Sequence, residues 1–180
     1  MVYVLLGTGF EEIEALTPVD LLRRAGAEVR TVGLNGKIVY GSHAIGVEAD
    51  MVIDDLDISD AEMIVLPGGL GGVASIRGCT KALEAVRAVH AAGKFVAAIC
   101  AGPTVLADLG LLTGVQATCY PGQISNMGDA VIVPGAACVT DGKIITGTSA
   151  GTATPFALAL IEALKGSDAA RAIADQIVIR

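Results

Sequence analysis

The sequence predicts a parallel α/β fold. Short runs rich in valine and isoleucine alternate along the chain with helical patterns of ten or more residues, which is typical of parallel strands joined by crossover helices. Of the 180 residues, 53% are hydrophobic and 17% are charged, so the chain has ample apolar material for a core. A chain of this length buries about 70% of its unfolded surface, and we expect one domain over residues 1–180.

Strands are predicted where apolar, β-branched runs lie between turn residues, and helices where apolar residues recur at helical spacing. In the first helix, Ile13, Leu16 and Val19 belong to the apolar stripe, and Gly26 ends the helix. The predicted strands are 2–6, 29–32, 63–66, 95–99, 137–140 and 143–146. The predicted helices are 12–25, 80–92, 103–109 and 152–164.

Two segments depart from this alternation. Between Gly33 and Asp57 the pattern loosens into short pieces around glycines, which predicts a β-ribbon excursion from the main sheet. Late in the chain, residues 131–133 and the Asp141-Gly142 pair suggest a second pair of short antiparallel strands.

The composition excludes several classes of partner. The net charge of −7 opposes binding to a phosphate backbone, so we expect no nucleic acid partner. The most apolar stretch, 95–112, is interrupted by glycine, proline and aspartate, whereas a membrane span needs about 20 apolar residues, so we expect no membrane partner. The N-terminus has no basic region like that of a signal peptide, and the predicted compartment is cytoplasmic.

The four cysteines indicate neither a disulfide framework nor a zinc site. They are spaced about twenty residues apart and form no C-x-x-C pair. Each cysteine is therefore judged alone, and a buried structural role is the usual one. The cysteines are Cys79, Cys100, Cys119 and Cys138.

The turn after the first strand, Gly7-Thr8-Gly9, begins like a dinucleotide-binding fingerprint. Glu12 stands where the third glycine would be, and several carboxylates crowd the helix start where a pyrophosphate would bind, so the sequence opposes a nucleotide cofactor. Acidic residues also stabilise a helix start, which is a sufficient role for Glu11 and Glu12. Glu14 lies further in among apolar residues, where burial would raise its pKa and suit it to proton transfer.

A second glycine-rich turn, Leu66-Pro67-Gly68-Gly69, follows the strand at 63–66. Glycines packed this densely allow a close approach of the backbone to a ligand and can direct amides at an anion. A flexible turn without a ligand explains the segment equally well.

The most specific signal is the segment Ile99-Cys100-Ala101-Gly102-Pro103. An apolar strand ends at a cysteine, and a proline suited to the first helical position follows. This order is typical of a nucleophile elbow, where free helix amides lie beside the nucleophile and stabilise a thiolate and an oxyanion. The alternative is a buried cysteine packed at the end of a strand.

The histidines limit the mechanism. His43 lies in the ribbon and His90 near the end of a helix, and none follows Cys100. A Cys-His-Glu triad in the usual amidotransferase order is therefore impossible, and an amidase or peptidase is disfavoured.

Four ordered motifs resemble the ThiJ/PfpI superfamily, and within it the branch of the parkinsonism-associated deglycase and its bacterial relatives. They span nearly the whole chain: Glu11-Glu12-Ile13-Glu14 with Pro18-Val19-Asp20 and Arg23-Arg24-Ala25-Gly26; Leu66-Pro67-Gly68-Gly69; Ala98-Ile99-Cys100-Ala101-Gly102-Pro103-Thr104; and Phe156-Ala157-Leu158-Ala159 with Ile161-Glu162-Ala163-Leu164.

The resemblance implies a flavodoxin-like three-layer sandwich, with helices on both faces of a mostly parallel sheet, and a homodimer. It implies an oxidation-prone cysteine at Cys100, a protonated glutamate at Glu14 bonded to it, and oxyanion-binding amides at Gly69 and Ala101. The implied activity is glyoxalase III-like, the conversion of the α-oxoaldehydes glyoxal and methylglyoxal to hydroxy acids without a metal or cofactor. Protein deglycation is a further activity attributed to the family.

Two departures from the family pattern bear on the mechanism, and one further resemblance concerns His43. Protease-like relatives carry Cys-His at the elbow, whereas this chain has Cys100-Ala101, which disfavours a peptidase further. Several members with this activity have a histidine before a proline after the elbow helix, whereas this chain has Tyr120 before Pro121. The ribbon around His43 resembles a stretch that approaches the partner's site in related dimers. Tyr120 and His43 are therefore auxiliary candidates, and a non-enzymatic redox sensor or chaperone acting through Cys100 is the alternative function.

Overall fold

The computed structural model describes residues 1–179, and a seven-stranded sheet forms its centre. The strands of this sheet are β1 (Val2–Leu6), β2 (Val29–Gly33), β5 (Met51–Val52), β6 (Met63–Leu66), β7 (Phe95–Ile99), β10 (Cys138–Asp141) and β11 (Ile144–Gly147). Their spatial order is β10-β11-β7-β6-β1-β2-β5. Neighbouring strands are parallel except for β10, which pairs antiparallel with β11 at one edge.

Two further pairs of short strands lie outside this sheet. β3 (Ile38–Tyr40) and β4 (Gly46–Glu48) form the antiparallel ribbon, as predicted. β8 (Gln116–Ala117) pairs in parallel with β9 (Val131–Ile132).

Six helices cover the sheet in the described part of the chain. They are α1 (Glu12–Arg24), α2 (Leu70–Arg77), α3 (Thr80–Ala91), α4 (Pro103–Asp108), α5 (Ala153–Lys165) and α6 (Ser167–Gln176). Apolar residues of α1, α5 and α6 pack in one cluster with one face of the sheet, and those of α2, α3 and α4 pack in a second cluster with the other face. The predicted three-layer α/β sandwich is therefore confirmed.

The central strands are apolar on both faces because helices cover both. Every residue of β1 and β6 is buried, and these continuous apolar runs are typical of a parallel sheet. The predicted strands and helices agree with the observed ones to within one residue at each end. Because β1, β6 and β7 are adjacent and parallel, their carboxyl ends bring the three glycine- and cysteine-bearing turns together.

Some elements were missed or misassigned. The sequence prediction missed β5, β8, α2 and α6. In α2, Gly71 and Gly72 lower the helix propensity, yet they permit a close approach to Gly9 and Phe10. The predicted antiparallel pair of 131–133 with Asp141-Gly142 is wrong. β9 pairs in parallel with β8, and Asp141-Gly142 lies at the turn between β10 and β11.

None of the helices in residues 1–179 has the length and apolar character needed to cross a membrane.

Candidate active site

Cys100 lies on a sharp bend directly after β7. Its φ angle is +63°, in the left-handed region that non-glycine residues adopt at a cost of about 1–2 kcal/mol. Two hydrogen bonds fix the bend: the Cys100 amide donates to the Gly147 carbonyl at 3.0 Å, and the Cys100 carbonyl accepts from the Tyr120 amide at 2.9 Å. Cys100 is partly exposed, and the bend between β7 and α4 has the strand-to-helix geometry of the predicted nucleophile elbow.

Glu14 is buried in the first turn of α1, with 1% of its surface exposed. Its Oε2 atom accepts a hydrogen bond from the Gly68 amide at 2.9 Å. A β-carbon built on Gly68 would overlap Glu14 Oε2 and would lie 2.7 Å from the Cys100 β-carbon, so glycine at this position lets the two side chains meet. The structure thus brings together Glu14 and Cys100, the pair that the family resemblance implies, and it adds Gly68 between them, a role that the sequence prediction missed.

The two ionisable groups hold protons more tightly than they would in water. Burial raises the pKa of Glu14 to about 7, although the contacts with Cys100 and the Gly68 amide lower it. Burial and the charge of Glu14 raise the pKa of Cys100 to about 12. At neutral pH the Glu14 carboxyl is therefore close to its midpoint, while the Cys100 thiol keeps its proton. The thiol consequently needs the Glu14 carboxylate as a base, a role that helix amides cannot take.

Two backbone amides lie near the thiol. Ala101 follows Cys100 directly, and Gly69 follows Gly68, whose built β-carbon would lie 2.7 Å from the Cys100 β-carbon. Hydrogen bonding from both amides lowers the pKa of Cys100. They are the two amides expected to bind an oxyanion. Each lies just before a helix, where an N–H group has no acceptor within the helix, so both can donate to a ligand. Gly69 has a φ of +82° immediately before α2, and a β-carbon there would lie 2.6 Å from the Glu11 nitrogen.

The orientation of both amides follows from the carbonyl of the same peptide. In a planar trans peptide the carbonyl and the N–H point in opposite directions. The Gly68 carbonyl accepts a hydrogen bond from the Glu11 amide at 3.0 Å, so the Gly69 N–H is directed away from Glu11. The Cys100 carbonyl accepts from Tyr120, which in the same way orients the Ala101 N–H.

Tyr120 contacts the site through its main-chain amide and not through its side chain. Its side chain is 48% exposed and lies over Gly122, where a β-carbon would be 3.1 Å from the Tyr120 ring. Sequence reasoning considered only the side chain of Tyr120 and missed this backbone contact with Cys100. It also missed the Ala150 amide, which interacts with Glu14 and lowers its pKa.

His43 lies beside the start of α1, where it contacts the Glu12 carboxylate. Its Nδ1 atom lies 3.0 Å from Glu12 Oε2, and its amide donates to Glu12 Oε1 at 2.8 Å. Ser42 donates to Glu11 Oε2 at 2.9 Å in the same cluster. Glu12 is 5% exposed, so its main task is to anchor this loop rather than only to complement the helix dipole.

Within residues 1–179, one cluster has a geometry that could admit a metal ion, and it consists of Glu11, Glu12 and His43. One ligand atom from each lies within 4.8 Å of the others. Their hydrogen bonds with one another and with Ser42 account for the cluster. Burial opposes a low pKa for Glu12, but the His43 side chain and the amides of His43 and Ile45 lower it to about 2.

The chemistry available is therefore that of a thiol nucleophile beside one carboxyl group and two oxyanion donors. The thiol can attack an electrophilic carbon, the carboxyl can move a proton, and the amides of Gly69 and Ala101 can bind the oxygen that becomes negative.

Known proteins are similar to this chain in both sequence and fold. Protein dj-1beta of Drosophila melanogaster is 34% identical over 178 residues, which cover 98% of this chain and 95% of that protein. A deglycase of Pyrococcus abyssi is 32% identical over 121 residues, covering 67% of this chain and 72% of that protein. In protein DJ-1 homolog B of Arabidopsis thaliana the match spans 96% of this chain but only 40% of that protein.

Among solved structures, oxidized DJ-1 of Toxoplasma gondii superposes with a TM-score of 0.94 at 35% identity, covering 98% of this chain and 97% of the other. The flavodoxin-like layout is thus shared along nearly the whole length. The model of the DJ-1/PfpI family matches residues 1–163, a range that includes the elbow, Glu14 and both amides. The chain belongs to the DJ-1/PfpI family.

Proposed function

We propose that this protein converts glyoxal and methylglyoxal to the corresponding hydroxy acids without a cofactor, as a glyoxalase III-like enzyme. One observation carries the proposal: a partly exposed thiol on a left-handed elbow meets a buried carboxyl group and two free amides. The Pyrococcus relative is named a deglycase. An early glycation adduct is an aminocarbinol; when its carbon–nitrogen bond breaks and the protein amine leaves, the free α-oxoaldehyde becomes available to the same attack.

In the proposed mechanism, Cys100 adds to the aldehyde carbon and forms a hemithioacetal. The new carbon–sulfur bond uses the sulfur lone pair, and the thiol proton passes through Glu14 to the aldehyde oxygen. While the oxygen carries negative charge, the amides of Gly69 and Ala101 donate hydrogen bonds to it.

Glu14 then moves a second proton. It removes the hydrogen from the former aldehyde carbon and returns a proton to the neighbouring carbon through an enediol, which converts the hemithioacetal to a thioester. Hydrolysis of the thioester by one water molecule releases the hydroxy acid and restores the thiol. A carboxyl pKa of about 7 suits this exchange because both protonation states are populated at neutral pH.

Tyr120 has no chemical step in this proposal. Its amide holds the Cys100 carbonyl, and the exposed phenol is not needed for proton transfer because Glu14 supplies that function. The histidine found in several relatives at this position would then be dispensable.

The experiment is product formation from methylglyoxal and glyoxal in the absence of glutathione, followed by NMR. Lactate and glycolate should accumulate with the wild type and with Cys138→Ser, a partly buried cysteine on β10 that serves as the control. Cys100→Ser should produce neither acid while keeping the circular dichroism of the wild type. Equal turnover by Cys100→Ser would disprove the assignment.

The second candidate is a redox sensor or chaperone in which Cys100 is oxidised to a sulfinate. The Toxoplasma relative was solved in an oxidized form, and the same two amides could donate to sulfinate oxygens. Two equivalents of hydrogen peroxide would supply the two oxygens. Mass spectrometry should then find Cys100 oxidised before Cys79, Cys119 and Cys138; equal oxidation of all four would remove this candidate. A reducing, cytoplasmic compartment is part of both proposals.

A homodimer is also proposed, formed through an exposed apolar surface on α1 and the ribbon. Four apolar residues are each more than half exposed: Ile13, Ile38, Tyr40 and Ile45. The Gly9 amide donates to the Tyr40 carbonyl and so joins the ribbon to the turn before α1. Large exposed apolar surfaces of this kind mark interfaces. Sedimentation equilibrium should give a dimer for the wild type and a monomer for Ile38→Glu; a wild-type monomer at micromolar concentration would contradict it.

A further inference from the structure

A chain of hydrogen bonds connects the end of α2 to the elbow. The Arg77 Nη2 atom donates to Thr104 Oγ1 at 2.8 Å, and the Thr104 hydroxyl donates to the Ala101 carbonyl at 2.7 Å. The direction of these bonds is fixed because a guanidinium can only donate, so the single hydroxyl proton of Thr104 is available for Ala101. Arg77 Nε also donates to Asp108 Oδ2 at 2.7 Å, at the far end of α4.

Thr104 is fully buried, whereas the Arg77 side chain is 42% exposed. The guanidinium therefore reaches in from the surface to a polar group of the interior. The Ala101 carbonyl accepts from the Thr104 side chain and, at 3.2 Å, also from the Thr104 amide, so Thr104 holds the residue immediately after the nucleophile.

The two helices joined by Arg77 are those that follow the two oxyanion amides. Gly69 directly precedes α2, Ala101 lies two residues before α4, and Arg77 is the last residue of α2. A displacement of α2 against α4 would change the distance between the two N–H groups. Cys100 is also held in an unfavourable backbone conformation, so the bend depends on such external contacts.

We propose that Arg77 is a positioning residue for catalysis, which acts through Thr104 to hold the elbow and to keep the Gly69 and Ala101 amides aimed at one oxyanion. The inference rests on the proposed glyoxalase III-like function. It assigns Arg77 no contact with the substrate, so its loss should affect the rate of the chemical step more than substrate binding.

The test compares Arg77→Met with Arg87→Met, which removes an exposed arginine of α3. The loss of a hydrogen bond to a charged group typically costs enough free energy to change a rate about tenfold. We expect kcat of Arg77→Met to fall about tenfold with little change in KM, and Arg87→Met to stay within about twofold of the wild type. Arg77→Lys, which keeps one charged donor, should recover part of the loss.

A second readout does not depend on turnover. The rate at which iodoacetamide alkylates Cys100 should fall in Arg77→Met and in Thr104→Val, and the double variant should be no slower than the slower single variant, because the two residues act in one chain. If the wild type lacks turnover, the proposed function fails while alkylation still tests the role of Arg77. Unchanged kcat and alkylation in Arg77→Met, or a loss of thermal stability alone, would overturn the inference.

Discussion

The carboxyl group of Glu14 and the thiol of Cys100 meet across the Cα atom of Gly68. A β-carbon on Gly68 would overlap Glu14 Oε2 and lie 2.7 Å from the Cys100 β-carbon, and the Gly68 amide donates to the same carboxyl oxygen. Proton transfer between the two side chains therefore depends on a residue without a side chain between them.

Gly68→Ala should separate Glu14 from Cys100. The φ angle of Gly68 is not in the left-handed region, so the effect is steric rather than conformational. We expect turnover of methylglyoxal to fall at least about tenfold, as is typical when a general acid–base is displaced. Gly78→Ala is the matched control, because the nearest atom to a β-carbon there is 3.5 Å away. Comparable activity in the two variants would show that the Gly68 spacing is unimportant.

The reactivity of Cys100 should depend on pH through Glu14. Because the Glu14 carboxyl loses its proton near pH 7 and the carboxylate can then accept the thiol proton, the alkylation rate of the wild type should rise through about that pH. In Glu14→Gln no carboxylate accepts the thiol proton, while burial still raises the pKa of Cys100. The midpoint should therefore move upward; a midpoint that stays near pH 7 would mean that Glu14 takes no part.

The stability of the fold should depend on pH through the ionisation of Glu14. Burial raises the pKa of Glu14 from 4.5 to about 7, so the protonated form favours the folded state. This contribution is complete below about pH 4.5 and is lost as the pH rises through 7. The melting temperature of the wild type minus that of Glu14→Gln should fall across this window. A flat difference between pH 4.5 and 8 would contradict the raised pKa.

Glu12 should stabilise the fold by holding the ribbon loop. Its carboxylate accepts the His43 amide at 2.8 Å and lies 3.0 Å from the His43 ring, and Glu12→Ala would leave that amide without this acceptor. We expect the free energy of unfolding to fall by about 1–3 kcal/mol in urea denaturation. Glu84→Ala, at an exposed position on α3, should change it by less than about 0.5 kcal/mol. A similar loss in both variants would argue against the anchor.

Sequence reasoning could predict the parts of the site that depend on local chemistry. The apolar run before Cys100 and the proline after Gly102 indicate a strand, a bend and a helix without knowledge of the rest of the chain. The same holds for the glycine turn at Gly68 and Gly69. The meeting of Glu14 with Cys100 was supplied by the family resemblance, because it depends on the order of β1, β6 and β7 in the sheet.

Other features could not be predicted because they depend on tertiary contacts. The two glycines at the start of α2 lower its helix propensity, and with α2 unrecognised the Arg77 to Thr104 hydrogen bond was also missed. Tyr120 contacts Cys100 through its amide, a group that every non-proline residue has, so its side chain gives no signal. The position of His43 follows from the docking of the ribbon against Glu12, which is distant in sequence.

The central claim is that Cys100 bonds covalently to the substrate during turnover. The most direct measurement is rapid acid quenching of the wild type with methylglyoxal, followed by mass spectrometry of its peptides. The mechanism predicts that the Cys100 peptide transiently gains the mass of one methylglyoxal molecule, at a rate no slower than lactate formation, while Cys79, Cys119 and Cys138 do not. Lactate formation without an adduct at Cys100, or an adduct that never decays to lactate, would contradict it.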